Sequence, residues 1–450
     1  MMLARVLPPV VAKEVRALLP LWLGAVAALL GVPALGRWLS AGTGSIDALE
    51  LLVYGAAALT LGALSMGHEY GSRTLPLLLS QPASRVRVFV VKQSVLGTML
   101  LILALVVWIN VLRPSSDVAI VIALVALGGL FVTPWLTLLS RNALAGAVFT
   151  GPTAGFIWLF VGLFAVQPMR RPIFIWAIFG FCAVAAVLGW RTFMRLEAID
   201  GPGASLRWPD AGATSATAAR ARHPVWLLIK KEFALQQMAL VLAVIYLVGW
   251  FLSLFDHPQG RFRDDLFGAL TFLYSSQLAL LIGALASAGE RQLGTLEWQG
   301  LLPMASWKQW MTKVATVLAL SMLLTVALPA LLLWMSGGAI HINQFFACAT
   351  LLLTTSALYV SSLSSSGLRA LLVSLPVALL GFAVAVGSTG LRWRLTPFSF
   401  VLLMTFVVIA LYFALVNHRS GERSITRIGL QAFVMAGCLA FAAAVATLAR

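Results

Sequence analysis

Long apolar segments recur along the whole chain and leave few folds open to it. A helix that spans a bilayer needs roughly 20 mostly apolar residues. We count thirteen such segments, at 18–36, 49–67, 93–112, 118–139, 143–166, 172–190, 238–255, 267–288, 314–335, 343–363, 370–388, 398–416 and 428–449. Only one charged residue, Glu50, falls inside them, at the edge of the second. Strands of a transmembrane barrel are short and alternate in polarity, unlike these segments. The sequence predicts an all-α, polytopic transmembrane helical bundle.

The few charged residues are distributed unevenly between the connecting loops. The chain is 61% hydrophobic and 10% charged, with a net charge of +16. If the N-terminus is cytoplasmic, the inner side holds 22 Lys and Arg residues and the outer side 9. Positive charge favours the cytoplasmic side, so this asymmetry predicts the orientation. The basic loops then face anionic lipid of a bacterial inner membrane, and no nucleic-acid partner is expected.

Two stretches of 26 residues, 67–92 and 288–313, align without a gap. Both follow the second apolar segment of their part of the chain. Five positions are identical, pairing Glu69 with Glu290, Thr74 with Thr295, Leu75 with Leu296, Pro82 with Pro303 and Lys92 with Lys313. A Lys-Glu dipeptide precedes the first segment of each part, at 13–14 and 231–232. A proline also lies within the fifth segment of each part, at 152 and 376. These offsets predict an internal duplication.

The predicted organisation is two parallel six-helix repeats plus one extra C-terminal helix. We place the first transmembrane half at 1–194 and the second at 225–418. Residues 195–224 are rich in Gly, Pro, Ala, Ser and Thr, which is typical of a linker. Residues 419–450 carry the thirteenth span, which would put the C-terminus outside. An even number of spans in each copy relates the repeats by an axis along the membrane normal.

Each half begins with a short amphipathic segment that contains the Lys-Glu dipeptide, Lys13-Glu14 or Lys231-Glu232. A short helix with apolar residues and a lysine on its polar side lies in the membrane interface rather than crossing it. We therefore predict an interfacial elbow helix at the start of each half.

The repeated loop is predicted to be cytoplasmic in both halves and to carry an apolar patch. Leu75 and Leu78 lie in the first patch, and Leu296, Trp298 and Leu302 lie in the second. Such a patch either packs beneath its own bundle, lies in lipid, or docks a soluble subunit. The loop residues expected to matter are Glu69, Thr74, Leu75, Leu78, Pro82, Lys92, Glu290, Gly294, Thr295, Leu296, Trp298, Leu302, Pro303 and Lys313.

The second loop reads Glu-x-x-x-Gly-Thr-Leu, then Leu-Leu-Pro, and closes with a Lys before the next span. This pattern resembles the first cytoplasmic loop of ABC-2 type permeases, the membrane subunits of ATP-binding-cassette exporters. The first loop departs from it, since Arg73 stands where the glycine should be. The resemblance implies coupling loops and elbow helices that work with a separate ABC ATPase, as a homodimer. ATP and Mg would be bound by that partner; no cofactor, metal or catalytic site is expected in this chain.

Other functional classes remain open from the sequence. The chain has no Gly-Lys dipeptide, so it has no Walker A loop and any ATPase must be another polypeptide. The main alternative is an ion-coupled secondary transporter of the major facilitator type, although neither loop carries that superfamily's basic motif. A membrane-embedded enzyme or a non-transporting scaffold is also compatible. The cargo is unidentified, and a largely apolar path would suit a lipid-like or amphipathic molecule. Polar residues of spans two and five, such as Tyr54, Tyr274 and Ser275, either line that path or join helices.

Overall fold

The fold was examined in a computed structural model. It describes residues 8–38, 43–71, 74, 84–110, 116–165, 169–196, 224–254, 261–294, 305–336, 344–387, 397–420 and 424–448. Within these ranges the protein is all-helical and contains no strand. The all-α prediction is therefore confirmed for this part of the chain.

The described helices form two successive groups along the chain. In the first part of the chain they are α1 (Pro9–Trp38), α2 (Thr43–Gly71), α3 (Arg85–Asn110), α4 (Ser116–Ser140), α5 (Ala143–Phe164) and α6 (Arg170–Met194). In the second part they are α7 (Pro224–Leu235), α8 (Gln237–Ser253), α9 (Arg261–Leu293), α10 (Ser306–Met335), α11 (Gln344–Leu363), α12 (Gly367–Gly387), α13 (Pro397–Ser420) and α14 (Ile425–Leu448).

Many of these helices are long and apolar enough to cross a membrane. Among the described residues there are 10 such spans, or 11 if the bent pair α7–α8 counts as one. Helices α12 and α14 are not among them, so the predicted thirteen spans remain a prediction. Large apolar side chains also face outward, as at Trp176 and Phe433, which are 75% and 77% exposed. A surface of this kind suits lipid better than water, which fits a multi-pass membrane protein.

The chain divides into two compact units, Met1–Leu206 and Arg207–Arg450. The boundary falls in 197–223, outside the described residues, together with nearly all of the predicted linker. In each unit the second long helix crosses a later helix at a glycine. A Cβ on Gly62 of α2 would collide with the backbone of Gly129 in α4, and a Cβ on Gly283 of α9 would collide with that of Thr354 in α11. Close backbone approach of this kind is what small residues allow between membrane helices.

One π-helical turn interrupts a long helix in each unit, but at different places. The first turn, Gly128–Val132, lies in α4, and the second, Leu323–Ala327, lies in α10. A π-helical turn disturbs the regular backbone pairing, and it occurs often at functional sites. In the second unit, side chains of α9 bond to the carbonyls at the turn. Tyr274 Oη donates to Leu324 O at 3.0 Å, and Ser275 Oγ donates to Thr325 O at 2.9 Å.

Local sequence explains where several helices begin and end. Arg141, after the last residue of α4, has φ 51°, and Asn142 then caps α5 by accepting a hydrogen bond from Leu144 N at 2.9 Å. Such a cap satisfies one of the free amides of the first turn. Pro152 and Pro376 lie inside α5 and α12 without ending either helix, as membrane helices tolerate.

Candidate functional site

A buried ion cluster lies at the loop end of the first unit and joins three helices. Lys92 of α3 is its centre, and its Nζ lies 2.9 Å from Glu14 Oε2 of α1 and 3.4 Å from Glu69 Oε1 of α2. Lys92 Nζ also donates to the carbonyl of Ser65 at 3.1 Å. Lys13 Nζ completes the group at 2.8 Å from Glu69 Oε1. Lys92 and both carboxylates are buried, whereas the Lys13 side chain is 40% exposed. We call these four charged residues the first ion cluster.

The second ion cluster has the same composition and consists of Lys231, Glu232, Glu290 and Lys313. Glu290 of α9 accepts hydrogen bonds from both Lys231 of α7 and Lys313 of α10. Lys313 Nζ donates to the carbonyl of Ala286 at 3.0 Å and lies 3.9 Å from Glu232 Oε1. Glu232, Glu290 and Lys313 are each at most 1% exposed.

The two clusters match residue by residue at the offsets found in the sequence. In each, a Lys-Glu pair from the first helix meets a glutamate near the end of the next long helix and a lysine near the start of the one after. Even the backbone acceptors correspond, because Ser65 and Ala286 each precede the cluster lysine by 27 residues. The sequence placed these residues in two separate motifs, an elbow and a loop. The structure brings the two motifs into one site in each unit.

The positions of the charged residues in the sequence also indicate this meeting. Eight charged residues of both signs, four in each unit, lie near the ends of apolar segments at equivalent positions, and charge is rarely buried unless it is paired. Opposite charges at the edges of neighbouring spans are therefore expected to meet. Which lysine meets which glutamate follows only from the packing of the helices.

The elbow segments differ from each other in the structure. Lys13 and Glu14 lie inside α1, a helix of 30 residues that runs on without a break through Pro20. The first elbow is therefore not the separate short helix that we expected. Lys231 and Glu232 lie on α7, a helix of 12 residues that is bent by 59° from α8. Gln236 stands at that break, and its Nε2 donates to Ile282 O of α9 at 2.9 Å.

The clusters also hold the first residues of the loops. In the first unit α2 ends at Gly71, and Thr74 returns to Glu69 through its N–H, at 3.0 Å from Glu69 O, and through its hydroxyl, which bonds to the carboxylate. In the second unit α9 ends at Leu293, and Gly294 follows with φ +72°. Its N–H bonds to Arg291 O at 3.1 Å. A glycine in this left-handed conformation is a common helix ending.

The centres of both loops lie outside the described residues. This applies to Leu75, Leu78 and Pro82 in the first loop and to Thr295, Leu296, Trp298, Leu302 and Pro303 in the second. The apolar docking patches therefore remain a sequence prediction. The structure places only the two ends of each loop, at Glu69, Thr74 and Lys92 and at Glu290, Gly294 and Lys313.

Further polar residues surround the second cluster and were not predicted. Arg291 donates to the carbonyls of Ser361 and Ser364 at 3.2 and 3.0 Å, which fixes the end of α11 beside the loop. The imidazole of His418 packs against the ring of Trp310 at a tilt of 34°, with ring centroids 5.2 Å apart. These contacts join α11 and α13 to the site that Glu290 and Lys313 define.

A buried amide network attaches the last helix to the second unit. Gln431 of α14 donates to Asn417 Oδ1 of α13 at 2.7 Å and accepts from Tyr359 Oη of α11 at 3.2 Å. Asn417 Nδ2 also bonds to Ser362 Oγ at 3.2 Å. Buried polar side chains of this kind join helices in a membrane. The helix that has no counterpart in the first unit is therefore packed as part of the second.

The polar residues considered as path-lining groups serve helix contacts within their own unit. Tyr54 Oη donates to Ile122 O at 3.3 Å, and Tyr274 and Ser275 bond to the π-helical turn as described above. Thr150 and Thr133 join their hydroxyls at 3.0 Å. Of the two interpretations left open by the sequence, helix joining is the one that these contacts favour.

Among the described residues, no group of three or more His, Cys, Asp or Glu side chains could hold a metal ion. Comparison of the chain with models of protein families gave no match, and neither did a search of curated proteins.

Proposed function

We propose that this chain is the membrane subunit of an ABC exporter of the ABC-2 type. In this proposal two six-helix halves move an unidentified, lipid-like or amphipathic substrate, and a separate ATPase supplies the energy. The observation that carries it is the pair of ion clusters at the loop ends. A cytoplasmic loop can drive a membrane bundle only if its ends are attached firmly to the helices that must move.

The geometry of the clusters suits such an attachment. Each loop begins directly after a buried glutamate, Glu69 or Glu290, and the following helix carries the buried lysine, Lys92 or Lys313. Separating a buried pair leaves a charge without compensation, which typically costs about 3–5 kcal/mol. Displacement of a loop would therefore move the three helices together rather than detach the loop. The energy of ATP hydrolysis would enter the bundle along this route.

Copurification tests the proposal directly. The tagged full-length chain is isolated from its own membranes in mild detergent, and the copurifying proteins are identified by mass spectrometry. We expect an ABC ATPase, and ATP turnover that depends on the complex and is absent from the chain alone. Turnover by the rigorously purified single chain would contradict the proposal, and so would repeated isolation of the intact chain without any ATPase under conditions that preserve membrane complexes.

One observation favours a second candidate function, ion-coupled secondary transport. Glu50 is the second residue of the span Leu49–Gly71, as the sequence predicted, but it is buried inside the unit at 1% exposure. Buried ionisable residues at membrane depth are typical of proton- and ion-coupled transporters. Transport of substrate into vesicles driven by an ion gradient, without ATP, would favour this alternative over the exporter.

A further inference from the structure

Glu50 is a buried carboxylate in the described part of the first unit. Neither of its carboxylate oxygens has a hydrogen-bond partner. The glutamates of the ion clusters are also buried, but each lies close to a lysine. Glu50 therefore needs a separate physical explanation.

Leu51 and Tyr54, close to Glu50 on α2, belong to a hydrophobic cluster of the first unit. The polar groups near this cluster form hydrogen bonds with backbone carbonyls. Tyr54, one turn further along α2, donates to Ile122 O. Trp22 Nε1 donates to Met99 O at 3.0 Å, and Asn110 Nδ2 donates to Leu29 O at 3.1 Å. The rest of this cluster is aliphatic or aromatic. None of these hydrogen bonds involves Glu50.

Among the described side chains, no charged residue of the neighbouring helices is paired with Glu50. In α3 the charged residues, Arg85, Arg87 and Lys92, lie at the opposite end of the helix, and α5 and the segment 128–140 carry none. In α4 Asp117 is exposed and paired with Arg171. In α1 Lys13, Glu14 and Arg16 lie at the far end, and the side chain of Arg37 is outside the described residues. On α2 itself the nearest charged residue is Asp47, which has the same sign.

A carboxylate that is buried without a partner is far more costly when ionised than when neutral, and such groups generally take up a proton. A sodium or similar cation would need several oxygen ligands, and Glu50 has no second oxygen donor within hydrogen-bonding distance. Asp47 lies three residues earlier on the same helix face and is half-buried. It therefore stands between Glu50 and the end of the bundle where α2 begins.

The second unit has a neutral residue in place of the glutamate at the equivalent position. The residue 221 positions after Glu50 is Thr271, and its hydroxyl is hydrogen-bonded to Tyr246 Oη at 2.8 Å. A neutral hydroxyl pair thus fills this place in the other unit. The packing of α2-like helices does not itself require a carboxyl group there.

We propose that Glu50 is a proton-binding site, which is occupied at neutral pH and exchanges its proton past Asp47. The site is a single carboxylic acid inside the first unit, and its ligand is the proton alone. Loss of the proton would require water or a cation to enter between α2 and its neighbours. This inference does not depend on which of the two transport functions is right, because it concerns the resting protein.

Infrared difference spectroscopy of the full-length chain in lipid tests the proposal. The spectrum of the parent minus that of Glu50→Gln at neutral pH should show one carboxylic acid C=O band per chain. Carboxylate bands in its place would overturn the proposal, and so would an acid band that 100 mM sodium chloride converts to carboxylate. If Glu50→Gln cannot be recovered folded, Glu50→Asp provides the comparison, because it shifts the acid band without removing it.

The exchange of the Glu50 proton past Asp47 is tested by a separate measurement of its exchange rate. After transfer to heavy water, the acid band of the parent shifts as its proton exchanges. Asp47→Asn should leave the band in place but slow this shift at least severalfold. Asp117→Asn is the matched control, since Asp117 is exposed on α4, and it should leave the exchange rate unchanged. Equal exchange in the parent and Asp47→Asn would overturn this route.

Discussion

Each ion cluster consists of two lysines and two glutamates, but the distances between them differ in the two clusters. In the first cluster Lys92 lies closest to Glu14, at 2.9 Å, and is 3.4 Å from Glu69. In the second, Lys313 is bonded to Glu290 and lies 3.9 Å from Glu232. The central lysine is thus held mainly by the first helix in one unit and mainly by the loop-bearing helix in the other.

This difference accompanies a difference in the backbone. Glu14 lies within the continuous helix α1, whereas Glu232 lies on α7, which ends three residues later and is bent from α8 by 59°. A bend next to a charged group changes where that group can reach, even if the sequence motif is identical. A repeated motif therefore specifies which residues surround a buried charge more reliably than it specifies the distances between the charged atoms.

The largest expected effect follows from removing the central lysines. Lys92→Met and Lys313→Met keep most of the length of the side chain, but they remove the lysine nearest to the buried Glu14 and Glu232. Each change should lower the free energy of unfolding by about 3–5 kcal/mol. The measurement is thermal unfolding in detergent, compared with Lys308→Met. Lys308 is an exposed lysine near the start of α10, and its loss should change stability by less than about 0.5 kcal/mol.

A second substitution in each lysine variant tests whether the two clusters differ in their strongest ion pair. Neutralising Glu14 as Gln should restore part of the stability lost in Lys92→Met, because these two groups form the closest pair. In the second cluster, double-mutant cycles should give Lys313 a larger coupling energy with Glu290, to which it is bonded, than with Glu232, at 3.9 Å. Contacting residues typically couple by about 0.5–3 kcal/mol. If the central lysine couples more strongly with the glutamate of the first helix in both clusters, Glu14 and Glu232, then the difference in distances has no energetic consequence.

A smaller effect is expected at the loop centres, which the sequence predicts to be docking patches. Trp298→Ala should weaken association with the ATPase by about 2 kcal/mol, or roughly thirtyfold in affinity, because truncated interface aromatics cost this much. Leu78→Ala in the first loop should weaken it less, since that loop has Arg73 in place of the glycine. Pull-down of the ATPase at matched expression measures both. The control is Trp176→Ala, which removes an exposed tryptophan of α6. If Trp298→Ala binds the ATPase as tightly as the parent does, this patch does not dock the ATPase.

The smallest effect is expected where the helices before the loops end. Gly294→Ala introduces a Cβ at φ +72° and should cost about 1–2 kcal/mol, the usual penalty of the left-handed conformation. Gly71→Ala at the equivalent end of α2 has no neighbouring atom within 4 Å, so it should be nearly neutral. Thermal unfolding of the two variants tests the contrast. Similar losses in both would mean that the backbone conformation does not decide the cost.

Much of the helical plan could be predicted from the apolar pattern. The segment predicted at 143–166 is the helix Ala143–Phe164, and the one predicted at 172–190 lies inside Arg170–Met194. The elbow of the first half was predicted as a separate short helix, but its Lys-Glu pair lies in α1, which continues through Pro20. Proline removes one hydrogen-bond donor, but whether a helix breaks there depends on what its neighbours can compensate.

The candidate site was predictable in its members but not in its assembly. Glu69, Lys92, Glu290 and Lys313 followed from the repeated loop, and the Lys-Glu pairs followed from the repeated helix start. Their meeting depends on α1, α2 and α3 packing side by side, and on α7, α9 and α10 doing the same. No local pattern encodes that arrangement.

Hydrophobicity and the repeated charges by themselves determined the all-α membrane class, the approximate helix bounds and the residues worth attention. These features are local, since a helix in lipid satisfies its own backbone and needs only a long apolar segment. Tertiary structure decided that Lys92 holds Glu14 while Lys313 holds Glu290, and that Glu50 is buried without a partner. Such outcomes depend on distances of a few ångströms between different helices, and the energy of a buried charge changes steeply over that range.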